Sequence, residues 1–311
     1  MQKITPLRPI SNTDQPAAWT STDYLALLLA VDCAFKDQQR KGTYMTMPAD
    51  LPLGLIQDHL NLVFSGSDGP GIETFYGDII GLRRIPNVEL PGGRYMLRYH
   101  GGATELKFIV TDQISSGAAS GRTTARGIRS LTFVLPESRR QSVFSRLAAY
   151  GLPAPSVIPE NSANTRYALQ DFEGNHIELA FITDEPTDPD IVRMEFGFGV
   201  SDLAASGQFL QQMLGMSLSQ NHAEPHQYIL GQSTINLWHV PTSQPAIVGM
   251  PHEMMGMSLL QLVIHDVWEA RALIVARGGP IHTEPYNVGD LAVVMFIEGP
   301  DGILIEFGAA L

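Results

Sequence analysis

Four glutamates occupy positions where a carboxylate is costly. "DFEGNHIELAF" (Asp171 to Phe181) and "GPDGILIEFGA" (Gly299 to Ala309) are each a turn signal followed by alternating apolar residues. Each carries one glutamate in its middle, Glu178 and Glu306. "ATELKF" holds Glu105 and "EFGFGV" holds Glu195 in similar surroundings. A carboxylate among buried strands must be paired or bound to a metal. Side chains alternate along a strand, so His59, Asn61 and Val63 share one face while Leu60, Leu62 and Phe64 take the other. Glu178 shares its face with His176 and Ala180, and Glu195 has Gly197 and Gly199 beside it, which leaves room next to the carboxylate. Thr132 and Gln261 are polar residues at equivalent positions. Glu195 is the candidate general base, on condition that burial raises its pKa. Glu105 has Lys107 one strand-step away, so a plain ion pair competes with any other role.

The elements that position these residues repeat. "FYGDIIGLRRI" resembles "FLQQMLGMSLS", a helix ending at Gly81 or Gly215 before a strand, and "RLAAYGLP" resembles "LIVARGGP". The repeat is about 130 residues, the size of a domain, which reads as a duplication rather than a solenoid. Each half holds two similar quarters. Every quarter opens with a short apolar strand: "HLNLVF", "SLTFVL", "EFGFGV" and "LLQLVI". Helices follow over about 71–80, 137–150, 203–214 and 268–276, and then alternating strands separated by Gly, Pro and Asn turns. Residues 1–57 have no echo; "STDYLALLLAVDCAFKDQQRKG" reads as one capped helix packing a Leu face, with a lid or a dimer arm as the alternatives. "TDEPTDPD" is the linker between halves and "SSGAASGR" a linker between quarters. The division is 1–57 as extension, 58–183 as a first domain and 191–311 as a second.

The chain of 311 residues is 44% hydrophobic and 17% charged, ample for a packed core. A net charge of −12 argues against nucleic acid or an anionic membrane as partner. Cys33 is the only cysteine, so no intrachain disulfide or thiolate cluster forms. No apolar run approaches the ~20 residues of a membrane span, and the N-terminus lacks a signal-peptide core. The expectation is a soluble, cytoplasmic protein.

Four βαβββ quarters, with fourth strands reading "GN-x-IEL" and "DG-x-x-IEF" and a helix reading "VSDLAASGQFLQQMLGM", resemble the vicinal oxygen chelate superfamily over roughly residues 58–309. That family includes glyoxalase I, extradiol dioxygenases and fosfomycin- and bleomycin-resistance proteins. The resemblance implies an α+β fold with four modules forming two cupped mixed sheets, flanking helices and an N-terminal helical extension. It places metal-ligand positions on His59 and Glu105, Ser130 and Glu178, Glu195 and Asn236, and Leu259 and Glu306. Modules pair in this family either as neighbours or first with fourth. The expected metal set is accordingly His59 and Glu105 with Glu178 or Glu306, a donor set suited to Mn, Fe, Ni or Zn. Asn61, Ser130, His176, Tyr228, Asn236, Trp238 and Gln261 are the expected substrate contacts. Two functions follow. One is a lyase, isomerase or dioxygenase using a divalent Lewis acid on vicinal substrate oxygens. The other is a metal-free binding or sequestration protein of the bleomycin-resistance type. The N-terminal helix would close a cup or join two subunits of a homodimer.

Overall fold

The computed structural model describes residues 52–90, 93–112, 121–159, 165–183, 191, 193–219, 225–289 and 292–311. The expected N-terminal helix, the linker between halves and most of the linker between the first two quarters lie outside these residues.

Four modules are present. The first runs β1 (Asn61–Gly66), helix α1 (Gly69–Ile72, continuing as a π-helix through Glu73–Ile80), β2 (Arg83–Glu89), β3 (Tyr95–Gly101) and β4 (Thr104–Val110). The second is β5 (Gly127–Pro136), α2 (Arg140–Ala149), β6 (Ser156–Ile158), β7 (Arg166–Gln170) and β8 (His176–Ile182). The third is β9 (Arg193–Val200), α3 (Leu203–Leu214), β10 (Ser217–Leu218), β11 (His226–Leu230) and β12 (Ser233–His239). The fourth is β13 (Gly256–Val263), α4 (Val267–Ala276), β14 (Ile281–Val288), β15 (Ala292–Glu298) and β16 (Leu304–Ala310).

The helix boundaries have local causes. Asp68, Asp202 and Asp266 each accept a hydrogen bond from a first-turn backbone N–H, of Gly71, Ala205 and Trp268 respectively. Such caps satisfy amides that have no partner within the helix. Gly81 and Gly215, at φ 82° and 70°, end α1 and α3 in the left-handed region, as the repeat leads one to expect.

Two eight-stranded sheets result, and they settle the module pairing. One runs β14-β15-β16-β13-β1-β4-β3-β2, joining modules one and four. The other runs β10-β11-β12-β9-β5-β8-β7-β6, joining modules two and three. The central contacts are the antiparallel pairs β1–β13 and β5–β9. Each outer three-strand set attaches by a parallel contact, such as β1–β4 or β9–β12. On the helix-facing side, alternate residues including Leu62, Phe64, Leu131, Phe133, Phe196, Leu260 and Phe307 form one continuous core. Burying side chains of this type stabilises by about 1.5–3 kcal/mol each.

Turns tie neighbouring modules across the sheets. Asp301, before β16, accepts from Ser201 N–H at 2.7 Å and from Arg126 Nη1 at 2.7 Å. Asp171, before β8, accepts from Tyr76 Oη at 2.8 Å. The two sequence halves are thus joined by pairing in both sheets and by these turn contacts.

Candidate functional site

Crossed pairing puts the expected site residues in two hollows. His59, Asn61, Glu105, Gln261 and Glu306 belong to the sheet of modules one and four. Ser130, His176, Glu178, Glu195, Asn236 and Trp238 belong to the other. Glu178 is therefore not in the same cup as His59.

The first hollow is packed by its own side chains. Val63, Met96, Ile109, Leu259, Phe296 and Leu304 fill one end of the cup-facing surface, with Met250 in the same cluster. The neighbouring Pro251 carbonyl accepts from Ser65 Oγ, so the Met-rich segment 249–257 covers this cup. The other end is a buried polar chain. Arg98 Nε donates to Glu105, and Glu105 N–H donates to Asn61 Oδ1 at 2.9 Å. Lys107 Nζ donates to Gln261 Oε1, and Gln261 Nε2 donates to Glu306 Oε1 at 2.7 Å. Arg98, Glu105, Lys107, Gln261 and Glu306 are all buried. Burial pushes the Lys107 ammonium below its ordinary pKa despite Glu105 and Glu306 nearby. Burial pushes the Glu306 carboxyl up, against the pull of Lys107 and Gln261. Glu105 pairs with Arg98 rather than Lys107: an ion pair does claim it, with a different partner.

The second hollow is lined by charge and small residues. Glu178, Thr132 and Glu195 stand side by side on β8, β5 and β9. Arg122 grips Glu178 with Nε and with Nη2, the latter at 2.6 Å, while its guanidinium lies 4.5 Å over the Trp238 ring. Thr132 Oγ1 donates to Glu178 Oε2 at 3.0 Å, and His176 Nε2 meets Oε1 at 3.0 Å. Arg166 sits between the carboxylates, 2.8 Å from Glu195 Oε2 and 3.8 Å from Glu178 Oε2. Arg193 donates from Nε and Nη2 to Glu195 Oε1 at 3.2 and 3.1 Å. Asn236 Nδ2 donates to Glu195 Oε2 at 3.0 Å. Both carboxylates are 1% exposed, whereas the Arg122, His176 and Arg193 side chains are 14%, 15% and 39% exposed. The ring of cations faces outward around a buried anionic floor.

These contacts correct three expectations. Burial does work to raise the Glu195 pKa, but Arg166 and Arg193 hold it below the usual carboxylate range, so it is a clamped anion rather than a base. The Glu178 carboxyl, against the same burial cost, is brought down to about 2 by Arg122 and His176. The glycines beside Glu195 leave no open space. Ser130 Oγ occupies the volume a side chain at Gly197 would need, and the Ala125 carbonyl does so at Gly199. Tyr228 lies on the opposite face of its strand, in the helix-side core with its hydroxyl against Gly207. The phase of β11 puts Gln227 and Ile229, opposite Asn236 and Thr234, on the cup side.

The family resemblance implies a divalent metal, and the donor chemistry does not fit one. His59 Nδ1 lies 3.5 Å from Asp58, outside both cup networks. Glu105, Glu178 and Glu195 each meet a guanidinium, and Glu306 is tied to Gln261. Among the described residues, no three His, Cys, Asp or Glu side chains gather to hold a metal ion. Arg122, Arg166 and Arg193 were not singled out by sequence. Arg193 was within reach of strand alternation, two residues from Glu195 on the same face. Among the described residues, no helix is long and apolar enough to cross a membrane.

A family model described as Glyoxalase/Bleomycin resistance protein/Dioxygenase superfamily matches residues 191–307. The fold is similar to that of a Bacillus subtilis protein provisionally named a dioxygenase, at TM-score 0.62 and 14% identity, covering 84% of this chain and 86% of that one. It is also similar to glyoxalase I from Zea mays, at TM-score 0.62 and 13% identity, covering 80% and 91%. The sequence matches no curated protein. Residues 191–307 thus match the glyoxalase/bleomycin resistance protein/dioxygenase superfamily model, and the fold of the chain is similar to the folds of these two solved proteins.

Proposed function

We propose that this chain recognises a small, partly apolar molecule in the cup of modules two and three, without a metal ion. The observation that carries this reading is the contrast in filling. The other cup is closed by apolar side chains and a buried ion network. This one presents partly exposed Arg122, His176, Arg193 and Trp238 above a fixed floor. Small-molecule sites combine apolar wall with a few oriented polar groups. Guanidiniums held by buried carboxylates are pre-oriented, so little side-chain entropy is lost when a ligand arrives. The positive charge that a metal would supply to substrate oxygens comes here from arginine, which pairs with oxyanions through a planar fork of donors. This is the metal-free alternative of the two functions open at the level of sequence.

The test follows the Trp238 indole N–H resonance, identified with Trp238→Phe, while small aromatic and oxyanionic compounds are added to chelator-treated protein. The indole signal is expected to move with no metal present. Binding that occurs only after Mn, Fe, Ni or Zn is restored, or that is lost in Gln261→Leu and kept in Arg193→Gln, contradicts the proposal.

A further inference from the structure

The ligand of this cup has a chemical class, which rests on the reading above: we infer that it is a small anion bearing a hydroxyl or N–H group some distance from its negative charge. Two observations converge on Glu195. Its Oε1 holds Arg193 and its Oε2 holds Asn236, so the carboxylate fixes a donor and an amide on either side of itself. Arg193 spends Nε and Nη2 on Glu195, and among the described residues its Nη1 makes no hydrogen bond. That donor sits on a side chain 39% exposed and is open to an anionic oxygen.

Asn236 supplies the other half. Its side chain is 5% exposed and its Nδ2 is used on Glu195, yet among the described residues its Oδ1 has no hydrogen-bond partner. Buried amide oxygens are rarely left without a donor. Every side-chain nitrogen that adjoins Asn236 through Glu195 belongs to a cation already facing a carboxylate, so the missing donor is on the ligand. The oxygen accepts only, so the ligand group must carry a hydrogen. Trp238, two residues along on the same face of β12, offers apolar surface beside this position. A ligand that satisfies both ends has an anionic oxygen toward Arg193 and a hydroxyl or N–H toward Asn236, with a flat apolar body between.

Four probes separate the contributions: 4-hydroxybenzoate, 4-methylbenzoate, benzoate and 4-methylphenol, titrated calorimetrically and by the Trp238 signal. One hydrogen bond of ordinary strength is worth about tenfold in affinity. The hydroxy acid is expected to bind about tenfold more tightly than the methyl acid. Asn236→Leu should erase that difference without weakening the methyl acid. Arg193→Gln should weaken all three acids and leave 4-methylphenol unchanged. The ligand series in the unsubstituted protein is a test independent of whether either variant folds. Equal binding of hydroxy and methyl acids, or of acid and phenol, overturns the assignment of ligand class, as does no binding by any probe. If a neutral compound still moves Trp238 in chelator-treated protein, the class fails and the metal-free site stands. If the probes bind in the predicted order but neither Asn236→Leu nor Arg193→Gln alters it, both fail.

Discussion

The two cups are built from equivalent strands and end in different chemistry. In the sheet of modules one and four, Arg98 answers Glu105 and Gln261 links Lys107 to Glu306 within the same sheet, and hydrocarbon side chains pack beside them. In the sheet of modules two and three, the same floor positions carry Glu178 and Glu195, but their partners rise toward solvent. One duplicated unit has therefore yielded a second core and a floor of carboxylates rimmed by partly exposed cations. A buried ion network contributes more to fixing one arrangement than to net stability, whereas partly exposed cations retain the capacity to meet a ligand.

The sharpest way to break this comparison is to remove one arginine from each cup. Arg98→Ala strands the buried Glu105 carboxylate and is expected to cost about 3–5 kcal/mol in urea unfolding. Arg193→Ala, with a side chain 39% exposed and with Arg166 and Asn236 still holding Glu195, should cost less than Arg98→Ala. Similar losses from the two would mean that both cups are structural. Next in size is Glu178→Gln. The folded carboxyl titrates at about 2, against 4.5 for the free group. A depressed folded pKa means the stabilisation is complete above pH 4.5 and is lost as pH falls toward 2. The variant is expected to be less stable by on the order of 3 kcal/mol at pH 7. The gap should close in acid; a gap unchanged between pH 7 and pH 3 contradicts the Arg122 clamp. The smallest effect is expected from Glu306→Gln, whose sign is opposite. Burial raises the Glu306 pKa, so the folded state resists its ionisation and loses stability as pH rises above 4.5. The neutral variant should gain on the wild-type protein in thermal unfolding as pH rises above 4.5 into the neutral range. A constant difference across that range would show that Glu306 does not titrate within it.

Much of this was legible in the residues. Alternation separated His176, Glu178 and Ala180 from Ile177 and Leu179, and glycines 81 and 215 marked helix ends. Module pairing was not legible, because either arrangement buries the same strand faces and the distinction lies in which opening strands meet edge to edge. The charge state of Glu195 is not legible for a related reason: Arg166 reaches it from β7, with β8 and β5 lying between, which no local spacing encodes. Arg122 sits in a Gly- and Ser-rich stretch with no periodicity, so only the folded chain brings it over Trp238. Tyr228 lies in the five-residue strand β11, too short for alternation to fix its phase.

Crystals grown from chelator-treated protein with 4-hydroxybenzoate test the central claim most directly. The account predicts the ligand between Arg193 and Asn236, beside Trp238, with the Val63–Leu259–Phe296 cup still filled by its own side chains. Ligand density in the Val63–Leu259–Phe296 cup, or a metal coordinated by His59 with Glu105 or Glu306, would contradict it.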